Sequence, residues 1–329
     1  MKKIICIVCA LAMVFSLCAC GNTAPAAKDT FTVGICQLVQ HDALDAATQG
    51  FKDALVEELG DKVVFDEQNA SGDIATCATI CSSFAANNVD LILANATPAL
   101  QAAVAATDSI PVLGTAVTEY GVALDIENFS GTVGGNVSGT SDLAPLDIQA
   151  AMVSEILPEA KTVGIIYCSA EANSVYQCKV VKDCLEAAGI TVKVFTFADS
   201  NDVAAVTASA CSECDALYIP TDNTAASCAE AINNVAEPAG VPIIAGEENL
   251  CKGCGVATLS IDYYELGRTT GRMAAKILKG EADISEMPIE YFQGPVKSSI
   301  PSCATLWASR LRLITLLSAD TFTTEGKHS

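Results

Sequence analysis

The sequence predicts an α/β protein: two Rossmann-like lobes of doubly wound parallel sheet joined by a hinge of three crossings. Three observations carry this. Short apolar strands alternate with helix-length segments, the pattern of parallel sheets covered on both faces. The whole alternation occurs twice, opening on Phe31-Thr-Val-Gly-Ile-Cys36 and again on Lys161-Thr-Val-Gly-Ile-Ile166. Half the residues are apolar while aromatics are only 5%, with Ala, Gly, Val and Ile dominant, which suits α/β packing better than an all-β sandwich.

In the first copy the strand from Phe31 leads to a helix over about 44–59. A strand over 62–65, a helix over about 73–87, a strand over 90–94, a helix over about 98–107 and a strand over 111–114 follow. In the second copy the strand from Lys161 is followed by a helix over about 174–188 and a strand over 191–194. Then come a helix over about 202–211, a strand over 215–219, a helix over about 225–239 and a strand over 242–245. Ser71/Asp73 and Asn201/Asp202 supply helix starts, and Gly60 and Gly189 supply stops. Between the copies, Gly131 to Asp142 (GTVGGNVSGTSD) is rich in Gly, Ser and Thr and reads as the hinge. The strand Thr258 to Asp262 leads into a helix over about 264–279 that returns to the first lobe, and Pro288 to Phe292 makes a third crossing. Three crossings are the arrangement of the type I periplasmic binding proteins. The expected division is a first lobe of residues 31–140 plus 263–289 and a second of 141–262 plus 290–297.

The ends differ from this body. Met1-Lys2-Lys3 is a basic start, Ile4 to Leu17 is apolar but short for a membrane span, and small residues follow, as in a cleavable export signal over residues 1–19. Leu17-Cys18-Ala19-Cys20 resembles the lipobox of bacterial lipoproteins, with Cys18 where Ala or Ser is more usual. That resemblance implies a diacylglycerol on Cys20, which becomes the mature N-terminus on the outer face of the cytoplasmic membrane. Residues 20–30 then form a lipid-anchored linker. At the other end Trp appears for the only time, in a basic stretch beginning near Ser298.

A formal net charge of −21 excludes nucleic acid and anionic membrane surfaces as partners. Sixteen cysteines suggest a disulfide or metal scaffold, but four lie in the signal and lipobox, and many others sit in apolar stretches as small hydrophobes. The two CxxC pairs, at Cys211/Cys214 and Cys251/Cys254, are too far apart for a zinc ribbon, and His41 and His328 are the only histidines. No metal or cofactor is implied. With no G-x-S-x-G, no G-x-G-x-x-G and no metal-ligand cluster, catalysis has no machinery, so the chain is not expected to be an enzyme. A ligand-sensing repressor of the same fold would carry a helix-turn-helix where this chain has an export signal.

Several segments are similar to one family, the ABC-transporter substrate-binding proteins associated with tryptophan or tyrosine uptake. They are Val33-Gly34-Ile35 with Gln40 to Asp45, Gly134 to Asp142, Glu171 to Ser174, Tyr218 to Asn223, Ile244 to Glu248 and Asp262 to Gly267, in order over residues 30 to 297. The chain departs from the family at Val117-Thr118-Glu119-Tyr120, where Thr-Asp-Pro is usual. The resemblance implies a monomeric lipoprotein that captures an amino acid, tryptophan, tyrosine or phenylalanine, between its lobes and passes it to an ABC permease. A sugar or autoinducer binder of the same fold is the alternative, although sugar sites usually offer aromatic faces and Arg. Against the family's usual ending, the stretch from Pro301 to Ser309 reads as frameshifted, so residues 298–329 are expected to be an aberrant, poorly packed tail.

In doubly wound sheets, ligands sit beyond the carboxyl ends of the strands. The candidate ligand-binding residues are Gln40, His41, Asn95, Thr97, Thr118, Thr140, Ser141, Asp142, Asn173, Ser174, Thr221, Asp222, Asn223, Glu247 and Asp262. An α-ammonium wants a charge-assisted acceptor, for which Asp222 comes first and Asp142 second. An α-carboxylate wants hydroxyls and N–H groups at helix starts, near Thr97, Ser141, Asn173 and Ser174. Capping alone explains Thr97, Asn173 and Ser174 equally well. No Arg or Lys stands in these loops, which excludes phosphorylated ligands. Tyr263, Tyr264 and Phe292 either pack an aromatic ligand or belong to the core.

Overall fold

Each copy of the repeat folds into its own sheet because its apolar strands need cover on both faces. The computed structural model describes residues 30–292 and 297–299. The segments expected to be an export signal and linker, with Cys20, and the tail from Ile300 lie outside the described residues.

The first copy contains β1 (Phe31–Gln37), α1 (Asp42–Leu59), β2 (Val63–Asn69), α2 (Ile74–Ala86), β3 (Leu91–Asn95), α3 (Thr97–Ala106), β4 (Val112–Val117), the short α4 (Tyr120–Ala123) and β5 (Val137–Ser141). The second contains α5 (Leu146–Ile156), β6 (Thr162–Cys168), α6 (Ala172–Ala187), β7 (Thr191–Phe197), α7 (Val203–Glu213) and β8 (Ala216–Ile219). It continues with α8 (Asn223–Ser227), α9 (Ala229–Ala239), β9 (Ile243–Ala245), α10 (Glu248–Cys254) and β10 (Ala257–Ser260). Last come α11 (Tyr263–Leu278), β11 (Glu290–Tyr291) and β12 (Lys297–Ser299).

The sheets run β11-β5-β4-β3-β1-β2 and β12-β10-β9-β8-β6-β7. All described pairings between strands are parallel except β12 against β10. The two copies thus share one strand order, and in both it reverses beside the opening strand, between β1 and β3 and between β6 and β8. That reversal opens a crevice at the carboxyl ends of those strands. Inner β3 is buried at every position, whereas edge strand β2 is half-exposed. On α1, Ala43, Leu44, Ala47, Phe51, Ala54 and Leu55 form the buried stripe that a core-facing helix requires.

Helix α11, although it follows a strand of the second sheet, lies against α1 of the first lobe. Gly267 makes this close approach possible: a Cβ there would stand 2.0 Å from the Ala47 carbonyl oxygen. Tyr264 Oη donates to Asp53 Oδ2 at 2.9 Å, and Arg268 grips Glu57 with both amino groups, at 3.0 and 2.7 Å.

Four features differ from the sequence expectation. The stretch 131–142 is not all hinge, because residues 137–141 are the buried strand β5. Glycine in it marks close backbone approach rather than freedom, since a Cβ on Gly139 would sit 2.2 Å from the Gly114 oxygen. Gly134 and Gly135 lie before β5, at the end of the sheet away from the crevice, where Asn136 Nδ2 donates to the Thr107 and Ile110 carbonyls. The chain leaves the first lobe after Asp142, and Leu146 already belongs to the second core. Glu290 and Tyr291 pair with β5, so the third passage follows Tyr291 rather than preceding Glu290. The expected helix over 225–239 is broken at Cys228 into α8 and α9. Ser298 and Ser299, expected in the aberrant tail, extend the second sheet beside Leu259 and Thr258.

The departure at Val117-Thr118-Glu119-Tyr120 has a local cause. The register of β4 with β5 shifts between Gly114 and Val117, Ala116 adopts φ +52°, and Glu119 caps α4 through the Gly121 and Val122 N–H groups. Among the described residues Cys36, Cys77, Cys81, Cys168, Cys178, Cys184, Cys211, Cys214 and Cys228 are free thiols, and most of these are buried. Contact with Cys77, then Cys81, and burial push the Cys36 thiol far up, so it behaves as a small apolar side chain. Among the described residues no cluster of His, Cys, Asp and Glu is placed to hold a metal ion, and no helix is long and apolar enough to cross a membrane.

Candidate functional site

The crevice of the first sheet receives the loop after β1, which ends at His41, and the turn after β3, Asn95-Ala96-Thr97. That turn is strained. Ala96 has φ +93° and ψ 158°, a region that a side chain rarely adopts, and it starts α3 with no side-chain cap. The crevice of the second sheet receives Glu171 to Ser174 after β6 and Thr221 to Asn223 after β8. The two crevices meet: His41 Nε2 of the first lobe lies 3.3 Å from Asn223 Oδ1 of the second, so the lobes are closed on each other.

Buried polar atoms almost always have partners, and an unpaired one costs about 1–3 kcal/mol. Among the described residues five buried side-chain atoms have none: His41 Nδ1, Asn95 Oδ1, Thr97 Oγ1, Asn173 Oδ1 and Thr258 Oγ1. All but Thr258 stand at the two crevices. Their orientation is enforced from behind. Asn95 Nδ2 donates to the Leu44 carbonyl and to Thr48 Oγ1, both at 2.8 Å, which leaves Oδ1 outward. Asn173 Nδ2 donates to the Thr221 carbonyl at 3.0 Å and to Glu171 Oε2 at 3.3 Å, with the same result. The site therefore shows acceptors on both lobes, with one hydroxyl beside them and no Arg or Lys in the loops.

The remaining candidates are placed differently. Asp222, 1% exposed, is held by three internal donors: Cys168 N–H and Ser174 Oγ on Oδ2 and Ala225 N–H on Oδ1, each at 2.7 Å. A carboxylate offers roughly four lone-pair positions, so one is left for anything else. Ser174 is thereby committed to Asp222. Asp142, at the first crossing, accepts from Thr118 Oγ1 and from Tyr263 Oη, both at 2.9 Å. Ser141 Oγ donates to the Thr118 carbonyl, and Thr140 Oγ1 bonds Thr270 Oγ1 at 2.8 Å inside the first lobe, away from the crevice. Thr221 Oγ1 donates to the Gly246 carbonyl at 3.3 Å. Glu247 caps α10 through the Asn249 and Leu250 N–H groups, and Asp262 caps α11 through Glu265 N–H. Gln40 is exposed in the loop after β1. Tyr264 and Phe292 pack with the first lobe, while the buried Tyr263 reaches the hinge carboxylate.

Sequence reasoning passed over Glu171. It is 2% exposed and caps no donor of its own helix, yet it accepts from Asn223 N–H and Nδ2, from Thr224 N–H and Oγ1, and from Asn173 Nδ2. The repeat held the signal, because counted from the shared Val-Gly-Ile, Glu171 occupies in the second copy the place of His41 in the first.

Burial, then the charge of Glu171, pushes the Asp222 carboxyl up to about 7, and burial does the same to Glu247, also to about 7. Asp142 is raised by burial, and His41 is lowered by it. A carboxyl raised on folding contributes stability that is complete below its unfolded value and is lost as pH rises through the folded one. The melting temperature is therefore expected to rise between about pH 8 and about pH 6, followed by circular dichroism, before His41 begins to oppose the trend. A flat or falling curve over that window would mean that Asp222 and Glu247 keep ordinary carboxyl values in the fold.

Two matched α/β lobes closed over inward-turned polar atoms at their strand-order reversals make a two-lobed small-ligand-binding architecture. The chain belongs to the ABC transporter substrate binding protein family, whose profile matches residues 32–297. Its members are binding proteins that serve ABC transporters outside the cytoplasm and carry out no catalysis. A tyrosine-binding protein of Clostridioides difficile is 37% identical over 268 residues, 80% of this chain and 76% of that one. An ABC domain from Streptococcus pneumoniae solved in complex with L-Trp is 33% identical, with a TM-score of 0.80 over 85% of this chain and 94% of that one. The ligand-free, open structure of a substrate binding protein with adhesive properties from Clostridium difficile is 36% identical, with a TM-score of 0.62 over 83% of this chain and 93% of that one. The better superposition on the complex than on the open form agrees with the closed arrangement of the lobes.

Proposed function

We propose that this protein captures an aromatic L-amino acid, tyrosine, tryptophan or phenylalanine, between its lobes and delivers it to an ABC permease. It does so tethered to the outer face of the membrane by a diacylglycerol on Cys20. The observation that carries the ligand class is the set of inward acceptors, Asn95 Oδ1, Asn173 Oδ1 and His41 Nδ1, in a site without Arg or Lys. An α-ammonium has three N–H bonds to give and is drawn by the buried carboxylates behind these atoms. Thr97 Oγ1 and the first N–H groups of α3 offer donors to an α-carboxylate. The tyrosine-binding relative and the L-Trp complex support the aromatic side chain. Ligand contacts to both lobes favour the closed state and shift the population toward it.

Thermal shift is the direct test. At about a hundredfold excess over its Kd, a ligand bound only by the folded form adds about 2.7 kcal/mol of stability. L-tyrosine or L-tryptophan is expected to raise the melting temperature, and hexoses are not. A shift with sugars and none with any amino acid would refute the assignment.

A further inference from the structure

We propose that Glu171 is a positioning residue which, through Asn223, sets the direction of the hydrogen bond between the lobes and so makes His41 present a bare acceptor to the site. This rests on the amino-acid reading for its ligand and on the protein geometry alone for its mechanism.

The chain of bonds begins in the second lobe. Glu171 Oε2 accepts from Asn223 N–H at 3.1 Å and from Asn223 Nδ2 at 2.6 Å. A carboxylate only accepts, so the amide nitrogen of Asn223 must face Glu171 and its oxygen must face away. That oxygen meets His41 Nε2 at 3.3 Å. Oδ1 has no hydrogen to give, hence Nε2 carries one. Burial lowers the His41 pKa, against the opposing hydrogen bond to Asn223 and the pull of Glu171 across the cleft and of Asp45 and Asp42 on its own side, which favours the neutral ring in the closed form. With the hydrogen on Nε2, Nδ1 is an unprotonated acceptor, and it is buried without a protein partner.

The same carboxylate acts a second time within its own lobe. Its Oε2 also accepts from Asn173 Nδ2, at 3.3 Å, which helps turn the unpartnered Asn173 Oδ1 into the site. One buried charge thus directs acceptors on both sides of the cleft, although it reaches the first lobe only through Asn223. The equivalence of His41 and Glu171 in the repeat explains the symmetry: the residue opening the helix after β1, and the one opening the helix after β6, stand at the crevice, one as the end of the relay and one as its source.

The test uses the full chain and imidazole nitrogen NMR, which is simple here because His41 and His328 are the only histidines and His41→Gln assigns the pair. Spectra of the wild type, Glu171→Gln and Asn223→Ala are recorded without ligand and with L-tyrosine, alongside calorimetry. In the wild type, L-tyrosine is expected to increase the Nε2–H form of His41. Both relay variants should change its tautomer ratio at least about twofold and weaken L-tyrosine at least about tenfold. Wild-type affinity should fall more steeply than that of His41→Gln between about pH 7.5 and pH 5.5, since an open, protonated ring must lose its proton on closure, whereas Asp222 and Glu247, raised to about 7, titrate in both. Asn223→Ala keeps Glu171 in place, so it decides the matter if Glu171→Gln fails to fold. Identical imidazole spectra in wild type and folded variants, or an Nδ1–H ring in the wild type, would overturn the relay. Absence of L-tyrosine binding in the wild type would count against the ligand, while the spectra without ligand would still judge the relay.

Discussion

Gly267→Ala is expected to destabilise the chain by about 2–4 kcal/mol, although alanine is the better helix former by roughly 1 kcal/mol. The steric term decides the sign. A Cβ on Gly267 would lie 2.0 Å from the Ala47 oxygen and 2.7 Å from its carbonyl carbon, and this is backbone, which cannot rotate away. Nor can α11 slide to relieve the clash, because a Cβ on Gly50 or Gly271 would stand only 2.0 Å from the Tyr264 oxygen or 2.5 Å from the Phe51 oxygen. Separating the helices instead would weaken the Tyr264–Asp53 bond and the two-pronged Arg268–Glu57 pair. The exposed ion pair contributes little, so most of the loss comes from packing. Urea denaturation should show a lower midpoint. L-tyrosine affinity should fall as well, because α11 begins at Tyr263 beside Asp142, where the chain crosses between lobes. An unchanged midpoint would mean that the α1–α11 contact is looser than drawn.

Much of this architecture was legible in the chain. The doubled Val-Gly-Ile strand openings and the regular alternation gave two doubly wound parallel sheets, and the carboxyl ends of their strands placed the candidate loops, while the strand order itself came from the structure. What escaped was decided by tertiary context. Val137-Ser-Gly-Thr-Ser141 has the composition of a flexible link, yet it is a buried strand because β4 and β11 satisfy its backbone on both sides. The four-residue α4 is too short for any period to reveal. The candidate site was legible as a set of loops but not as a set of roles. Thr97, Asn95 and Asn173 keep an unpartnered atom turned inward, whereas Ser174, Thr140 and Glu247 are committed to partners inside their own lobe. Residue type and spacing cannot separate these, since an Asn that caps and an Asn that contacts ligand look the same in a string. Glu171 was the readable exception, because the repeat aligns it with His41.

Asp222→Ala is the second large expected effect, and it separates support from contact. Losing the carboxylate removes the α8 cap and leaves the Cys168 N–H and the Ser174 hydroxyl hydrogen buried without an acceptor. Each orphan costs about 1–3 kcal/mol, while removing a buried charge beside Glu171 returns part of that, for a net loss of about 2–4 kcal/mol. The loop from Thr221 also holds the amide of Asn173 and carries Asn223, so its loosening disturbs the second lobe's share of the site and the bond to His41. L-tyrosine affinity should drop at least about tenfold together with the urea midpoint. Asn173→Ala should show the other pattern, a comparable loss of affinity with a smaller drop in midpoint, because its Oδ1 has no protein partner to lose and the Thr221 carbonyl and Glu171, which lose its Nδ2, keep other donors. Calorimetry above about pH 8 keeps Asp222 ionised in every sample, so the comparison reads the group and not its titration. Should Asp222→Ala fold like the wild type and still lose L-tyrosine, the fourth lone-pair position of that carboxylate is the one that receives the ammonium. The inward amides would then serve as its flank.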